Sequence, residues 1–316
     1  VKINRQKILS FLKNQGIFLV IIIVFLYFCP IPGFLTISNL SNIPQQIAFI
    51  ALIATGMTFV IITAGIDLSV GSIVATAAVV FAILVENFHI PIYLSTIIAT
   101  AAGIFLGSFN GFSIVRFNVP PFISTLAMMT IARGIARHLA GNTKIFIHTD
   151  MQLYQRIAAT GKVGPLPYIV IIMFVILIIF WIILTKTRFG RYVFAVGGNE
   201  EAAKLSGINA GQVKLLVYII NGFLSALVGV LMAFKFKNGN PEYGVMWELD
   251  AIAAVVVGGT SLFGGRGSIF KTFIGALLIG ILDNGLLLKG LSSDLIYIIK
   301  GFVILGAVLI DQIKTA

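Results

Sequence analysis

The sequence predicts an all-α integral membrane protein of about ten transmembrane helices, and three observations carry that expectation. Hydrophobic residues make up 59% of the 316-residue chain and charged ones only 10%, against about a quarter charged in an ordinary soluble domain. Mean hydropathy is +1.06. Several apolar runs approach or exceed the roughly 20 residues that a helix needs to cross a bilayer. The net charge of +11 sits at the ends of these runs rather than along one stripe, so membrane topology explains it and nucleic acid binding is not expected. One transmembrane domain is expected over residues 1–316.

The first span runs from about Gly16 to Tyr27 and ends at Cys29-Pro-Ile-Pro32. Lys2, Arg5, Lys7 and Lys13 precede it, superficially as in a signal peptide. The run has no small-residue cleavage pattern and is long enough to span, so it reads as an uncleaved helix. Further spans cover about Pro44–Thr63, Leu68–Val85 and Pro91–Val115, and a fifth runs from Pro120-Pro121 to Leu139. A polar segment, Gly141–Gly164, separates the halves. The remaining spans cover about Pro165–Leu184, Val213–Phe234, Leu249–Leu262, Phe273–Leu288 and Leu295–Ile310.

Ten spans place both termini on one side. With these inside, the inner side collects basic residues over the outer side by about two to one, the positive-inside bias. The inner set includes Arg116, Lys186, Arg188, Arg191, Lys204 and Lys214; the outer set includes Lys144, Arg156, Lys162, Lys235, Lys237 and Lys289.

Two interruptions stand out. Thr63-Ala-Gly-Ile-Asp-Leu-Ser-Val-Gly71 joins the second and third spans with a lone aspartate, and the short eighth span is acidic and Gly-rich from Glu248 to Gly267. They are third and eighth in order, so two sets of five helices make them correspond, the second set inverted. Paired short Gly-interrupted segments point to a translocation path in inverted-repeat transporters, and the same glycines also permit tight helix packing.

Between the sixth and seventh spans, in the loop 186–214, a polar helix is expected. Asn199 is a good N-cap, Glu200 and Glu201 complement the helix dipole, Glu200 and Lys204 stand at i,i+4, and Gly207 supplies the C′ turn. One reading is an ordinary loop helix. The other is a docking element for a soluble partner, because small side chains let another protein approach the backbone.

Catalytic and metal chemistry find little support. Cys29 is the only cysteine and His89, His138 and His148 are dispersed, so neither a disulfide within the chain nor a metal site is expected, and no cofactor is implied. Gly259-Thr-Ser-Leu-Phe-Gly264 has the glycine spacing of a P-loop, but Gly265-Arg266 stands where Lys-Ser/Thr is required. If ATP drives the protein, another chain hydrolyses it. Asp67, Glu86, Asp250, Asp283, Arg133, Arg137 and Lys300 lie in or beside apolar spans, where an ionisable group normally faces the bundle interior or a wet cavity. An ion pair locking two helices is the favoured reading over substrate contact; Asp283 is one candidate partner for Lys300, and the sequence does not fix the pairing.

Three stretches together resemble the ribose/xylose/arabinose/galactoside-type permeases of bacterial ATP-binding cassette (ABC) importers. They are Gly56–Ser72, the run Thr187–Arg191 with Gly197–Ile208, and Glu248–Leu262. The resemblance extends from about Phe34 to Asp311. It implies a homodimer in the bacterial cytoplasmic membrane, a cytoplasmic ATPase with two nucleotide-binding domains, and a sugar-binding protein outside. The polar helix would then be the coupling helix, with Gly198, Asn199, Glu200, Ala202, Ala203, Leu205 and Gly207 as its ATPase-coupling residues. Thr63, Asp67, Ser69, Asn110, Asp250 and Thr260 are expected to border the translocation path. The alternatives are the same architecture carrying branched-chain amino acids, nucleosides or a signalling sugar, an ion-coupled transporter using Asp67 or Asp283, and a membrane-embedded enzyme.

Overall fold

The structure, a computed structural model, describes residues 5–164 and 166–315. Lys2 of the basic amino-terminal cluster and Pro165, the expected start of the sixth span, lie outside the described residues. Each of the ten expected spans is represented by one helix. These are α1 Arg5–Phe28, α2 Ile37–Ile62, α3 Val70–Glu86, α4 Ile92–Phe117, α5 Pro121–Leu139 and α6 Tyr168–Lys186. Two shorter helices follow, α7 Arg188–Gly198 and α8 Glu200–Leu205. The rest are α9 Ala210–Phe236, α10 Trp247–Val257, α11 Ile269–Leu288 and α12 Ser293–Thr315. Among the described residues α2, α4, α6, α9 and α11 are long and apolar enough to cross a membrane by length and composition, and Ile17–Phe28 and α3 are shorter apolar helices.

Three differences from the sequence reading have plain causes. α1 begins well before Gly16, because Arg, Lys and Gln are good helix formers and do not end the helix. The eighth span stops at Val257 instead of Leu262: Gly259 takes φ +86°, and the Thr260 amide donates back to the Val255 carbonyl at 3.1 Å. The loop after α6 holds a second helix, α7, whose N-cap Thr187 accepts from the Gly190 amide at 3.2 Å and which buries Gly190, Val193 and Val196 at helical spacing.

α2 is the spine of the bundle, buried along most of its length, whereas α4 and α6 keep broad apolar faces outward. Gly107 of α4 packs directly against Gly222 of α9, the small-residue contact that brings helices together in lipid. Polar pairs add specific ties. Asn39 and Asn284 exchange two amide hydrogen bonds of 2.9 Å between α2 and α11, and Thr58 and Thr272 meet at 2.9 Å.

The polar middle segment contributes short pieces. Strand β1 (Ile145–Phe146) precedes β2 (Lys162–Val163) and β3 (Leu166–Pro167), which pair antiparallel; β4 (Asn238–Gly239) follows α9 and pairs antiparallel with β1. The register matches Ile145 with Gly239 and Phe146 with Asn238.

The ends of α2 and α9 reveal the relation between the halves. The Ile62 carbonyl at the end of α2 accepts the Gly265 amide at 2.9 Å and abuts Gly197. The first turns of α9 reach the same region, where Lys214 pairs with Glu200. Thus α2 arrives where α9 departs, and each is followed by a non-helical break and then a helix, α3 or α10. The second break crosses the first turn of α3, with Gly244 against Gly71: a Cβ on Gly244, at φ +70°, would lie 2.6 Å from the Gly71 carbonyl oxygen. Only glycines permit this approach.

Candidate functional site

The polar helix α8 is built as its residues dictate. The Asn199 side chain accepts the Ala202 amide at 2.9 Å, and Gly207 closes the end at φ +81° while the Ile208 amide returns to the Ala203 carbonyl at 3.0 Å. Glu200 clamps the helix from its first turn, pairing with Lys204 at 2.9 Å and with Lys214 of α9. Partial burial pushes the Glu200 carboxyl up, but hydrogen bonds from Lys214 and Lys204 and their charges outweigh this and hold it below its ordinary range. Gly198, Asn199, Ala202 and Gly207 are exposed, and Leu205, 91% exposed, stands at the tip. Ala203 differs from expectation. It is 5% exposed and packs into the main core, because one position on a two-turn helix must face the bundle for the helix to rest on it.

The six expected path residues fall into separate places. Asp67, Ser69 and Asn110 come together in the first break. The Asp67 carboxylate accepts the Ser69 amide at 2.9 Å, the Ser69 hydroxyl at 2.6 Å and Asn221 Nδ2 at 2.9 Å, and Asn110 Nδ2 donates to the Ser69 oxygen at 2.9 Å. All four side chains are fully buried. Asn221 on α9 is a member that the sequence reading does not include; its signal is an asparagine inside an otherwise apolar span. Tyr218, one turn earlier on α9, points its hydroxyl at Gly65. Thr63, at the start of the break, donates to the Val60 carbonyl at 2.8 Å.

Asp250 and Thr260 do not join this cluster. Asp250 meets Lys300 of α12 at 2.9 and 3.0 Å, and Lys300 also reaches Asp283 of α11 at 2.8 Å. One lysine thus ties three helices together, Asp283 among its partners. Thr260 is buried in the turn after α10, where its hydroxyl has no hydrogen-bond partner among the described residues.

Two clefts flank the first break. One, of about 330 Å³, is bordered by Thr63, Gly65, Gly198, Glu200, Lys214 and Tyr218, and so lies between the break and α8. The other, of about 400 Å³, is bordered by Ser72, Thr130, Arg133, Arg137 and Glu248. The segment from Thr63 to Ser72 therefore runs from one cleft to the other, with the Asp67 cluster sealed between.

The chain resembles known transport proteins along nearly all its length. It is 43% identical over 305 residues to the ribose import permease protein RbsC of Haemophilus influenzae, covering 96% of this chain and 94% of that protein. It is 44% identical over 314 residues to RbsC of Bacillus subtilis, covering 98% and 94%. It is 37% identical over 331 residues to the galactose/methyl galactoside import permease protein MglC of Escherichia coli K12, covering 99% and 98%. No solved structure matches. Residues 39–308 match the family described as the permease component of the branched-chain amino acid transport system, and the chain is a multi-pass membrane protein belonging to that permease family.

Proposed function

We propose that this chain is the membrane-spanning subunit of an ABC importer that moves a monosaccharide across the cytoplasmic membrane of a bacterium, with both termini inside. Two copies form the translocating unit, a cytoplasmic ATPase with two nucleotide-binding domains supplies the work, and an extracytoplasmic sugar-binding protein delivers the cargo. The sugar assignment draws on the relatives named for ribose and galactose, which are similar over the whole chain. The family description names branched-chain amino acids, and competition by leucine against labelled sugar separates the two cargoes.

The observation that carries the coupling is α8: a capped, ion-paired helix that presents the bare Leu205 tip and Ala202 to solvent. A soluble partner that grips this tip transmits movement through Glu200 and Lys214 into α9, and α9 carries Asn221 against the first break. Thr63, Asp67, Ser69 and Asn110 then form the barrier that must open, while Asp250, through Lys300, and Thr260 steady α10 beside it. A partner or ligand drives such a change only by binding two states with different affinity.

The test is uptake into proteoliposomes holding the permease, the ATPase and the binding protein. Ala202→Trp and Leu205→Asp are expected to lower ATP-driven uptake at least tenfold while the permease still elutes as a monodisperse species. Concentrative uptake that needs an ion gradient and no ATPase would overturn the assignment in favour of a secondary transporter.

A further inference from the structure

α5 carries an outward stripe that a lipid-facing helix cannot hold. Thr130, Arg133 and Arg137 follow one another at helical spacing, and the Arg137 side chain, 51% exposed, pairs with an equally exposed Glu242 at 2.8 Å. That pairing holds the Glu242 carboxyl below its ordinary range. Arg133 donates to the Pro241 and Tyr243 carbonyls, the latter at 2.8 Å, and so anchors the second break to α5. On α6, by contrast, Val175, Ile178, Ile179 and Ile182 are exposed with no charge among them. Guanidinium and carboxylate groups left against hydrocarbon are costly, so the α5 stripe faces water.

This stripe forms one wall of the 400 Å³ cleft. Its floor is where the second break crosses α3. Ser72 lies in the first turn of α3 and Glu248 in the first turn of α10, and the Glu248 carboxylate overhangs Gly71, its Oε2 2.8 Å from where a Cβ would stand. Among the described residues Glu248 makes no ion pair. An acceptor carboxylate, two hydroxyls and two arginines around one cleft match a neutral polyhydroxylated molecule, whose hydroxyls both donate and accept.

We infer that this cleft is the contact site for the passing monosaccharide on the side away from α8, with Glu248, Ser72 and Thr130 bonding sugar hydroxyls. The inference rests on the sugar-importer reading above. The site is distinct from the Asp67 cluster, which is sealed behind it.

Cysteine accessibility tests the water-lined face without reference to transport. In a Cys29→Ser background, Thr130→Cys is expected to react with a charged, membrane-impermeant thiol reagent at least tenfold faster than Ile178→Cys on α6. Equal inertness of the two overturns the inference. Uptake tests the contact: Glu248→Gln and Ser72→Ala are expected to raise the KM for external D-ribose or D-galactose about tenfold, with a smaller change in maximal rate. Wild-type KM in both variants, with Thr130→Cys reactive, also overturns it. Failure of the wild-type assembly to take up either sugar with ATP sinks the importer reading and the sugar assignment of the cleft together, whatever the labelling shows.

Discussion

The two helix breaks share an architecture and differ in chemistry. The first, Thr63–Ser69 between α2 and α3, holds its one carboxylate by neutral donors: the Ser69 amide and hydroxyl and the Asn221 amide. It is sealed. The second, Asn238–Met246 between α9 and α10, is tied by guanidinium groups and opens on a cleft, with Arg133 on its carbonyls and Arg137 on Glu242. A buried carboxylate can do without a cation where enough donors satisfy it, and where donors are few an opposite charge balances it, as Lys300 does for Asp250. Two bends of similar construction thus hold their polar groups in different ways.

The contact of the second break with α3 is where this contrast is most vulnerable to a single substitution. Gly244→Val adds a branched side chain at φ +70° and drives its Cβ into the backbone of Gly71. Strain and overpacking together predict a loss of about 3 kcal/mol or more. The measurement is the thermal unfolding midpoint in detergent. A midpoint equal to wild type would show that the second break does not touch α3.

The next effect in size belongs to the sealed break. Asp67→Ala leaves three buried donors without their acceptor, at about 1–3 kcal/mol each before relaxation. Asp67→Asn, which keeps an acceptor oxygen, is expected to cost less. The same midpoint should order the three proteins wild type, Asn, Ala; reversal of the two variants would mean that the carboxylate is not what the donors serve.

The smallest effect belongs to the open break. Arg137→Ala removes an exposed pair with Glu242, and ion pairs in water contribute little to stability. Stability should hardly move. A destabilisation as large as that of Asp67→Ala would place this pair in a buried setting and erase the distinction between the breaks.

Much of this arrangement is legible in the residues alone. The span positions and α8 with its Asn199 cap and Gly207 turn follow from runs, caps and glycines that act within a few residues, whereas the break that faces the first one is Asn238–Met246 and not the Glu248–Gly267 stretch that the glycines suggest. α7 is harder to see: Thr187 and the spacing of Gly190, Val193 and Val196 announce it, but the basic residues around them read equally well as a connecting loop. The inward face of α8 is not legible, since small residues on a two-turn helix carry no pattern that says on which side Ala203 lies. Asp67, Ser69 and Asn110 are expected along one path and do meet. Asn221 joins them without having been expected there, while Asp250 and Thr260 lie apart from them.

Hydrophobic transfer and local hydrogen bonding depend on neighbouring residues alone. They are enough to say that the chain lives in a bilayer, where it turns, and which helix ends are capped. Other relations depend on which helix faces pack together: Asn221 meeting Asp67 across 154 positions, Lys300 holding two aspartates at once, and the α5 stripe forming a cleft with Glu248. In lipid that choice of faces turns on small residues and interhelical polar contacts, and neither leaves a periodic mark along the chain.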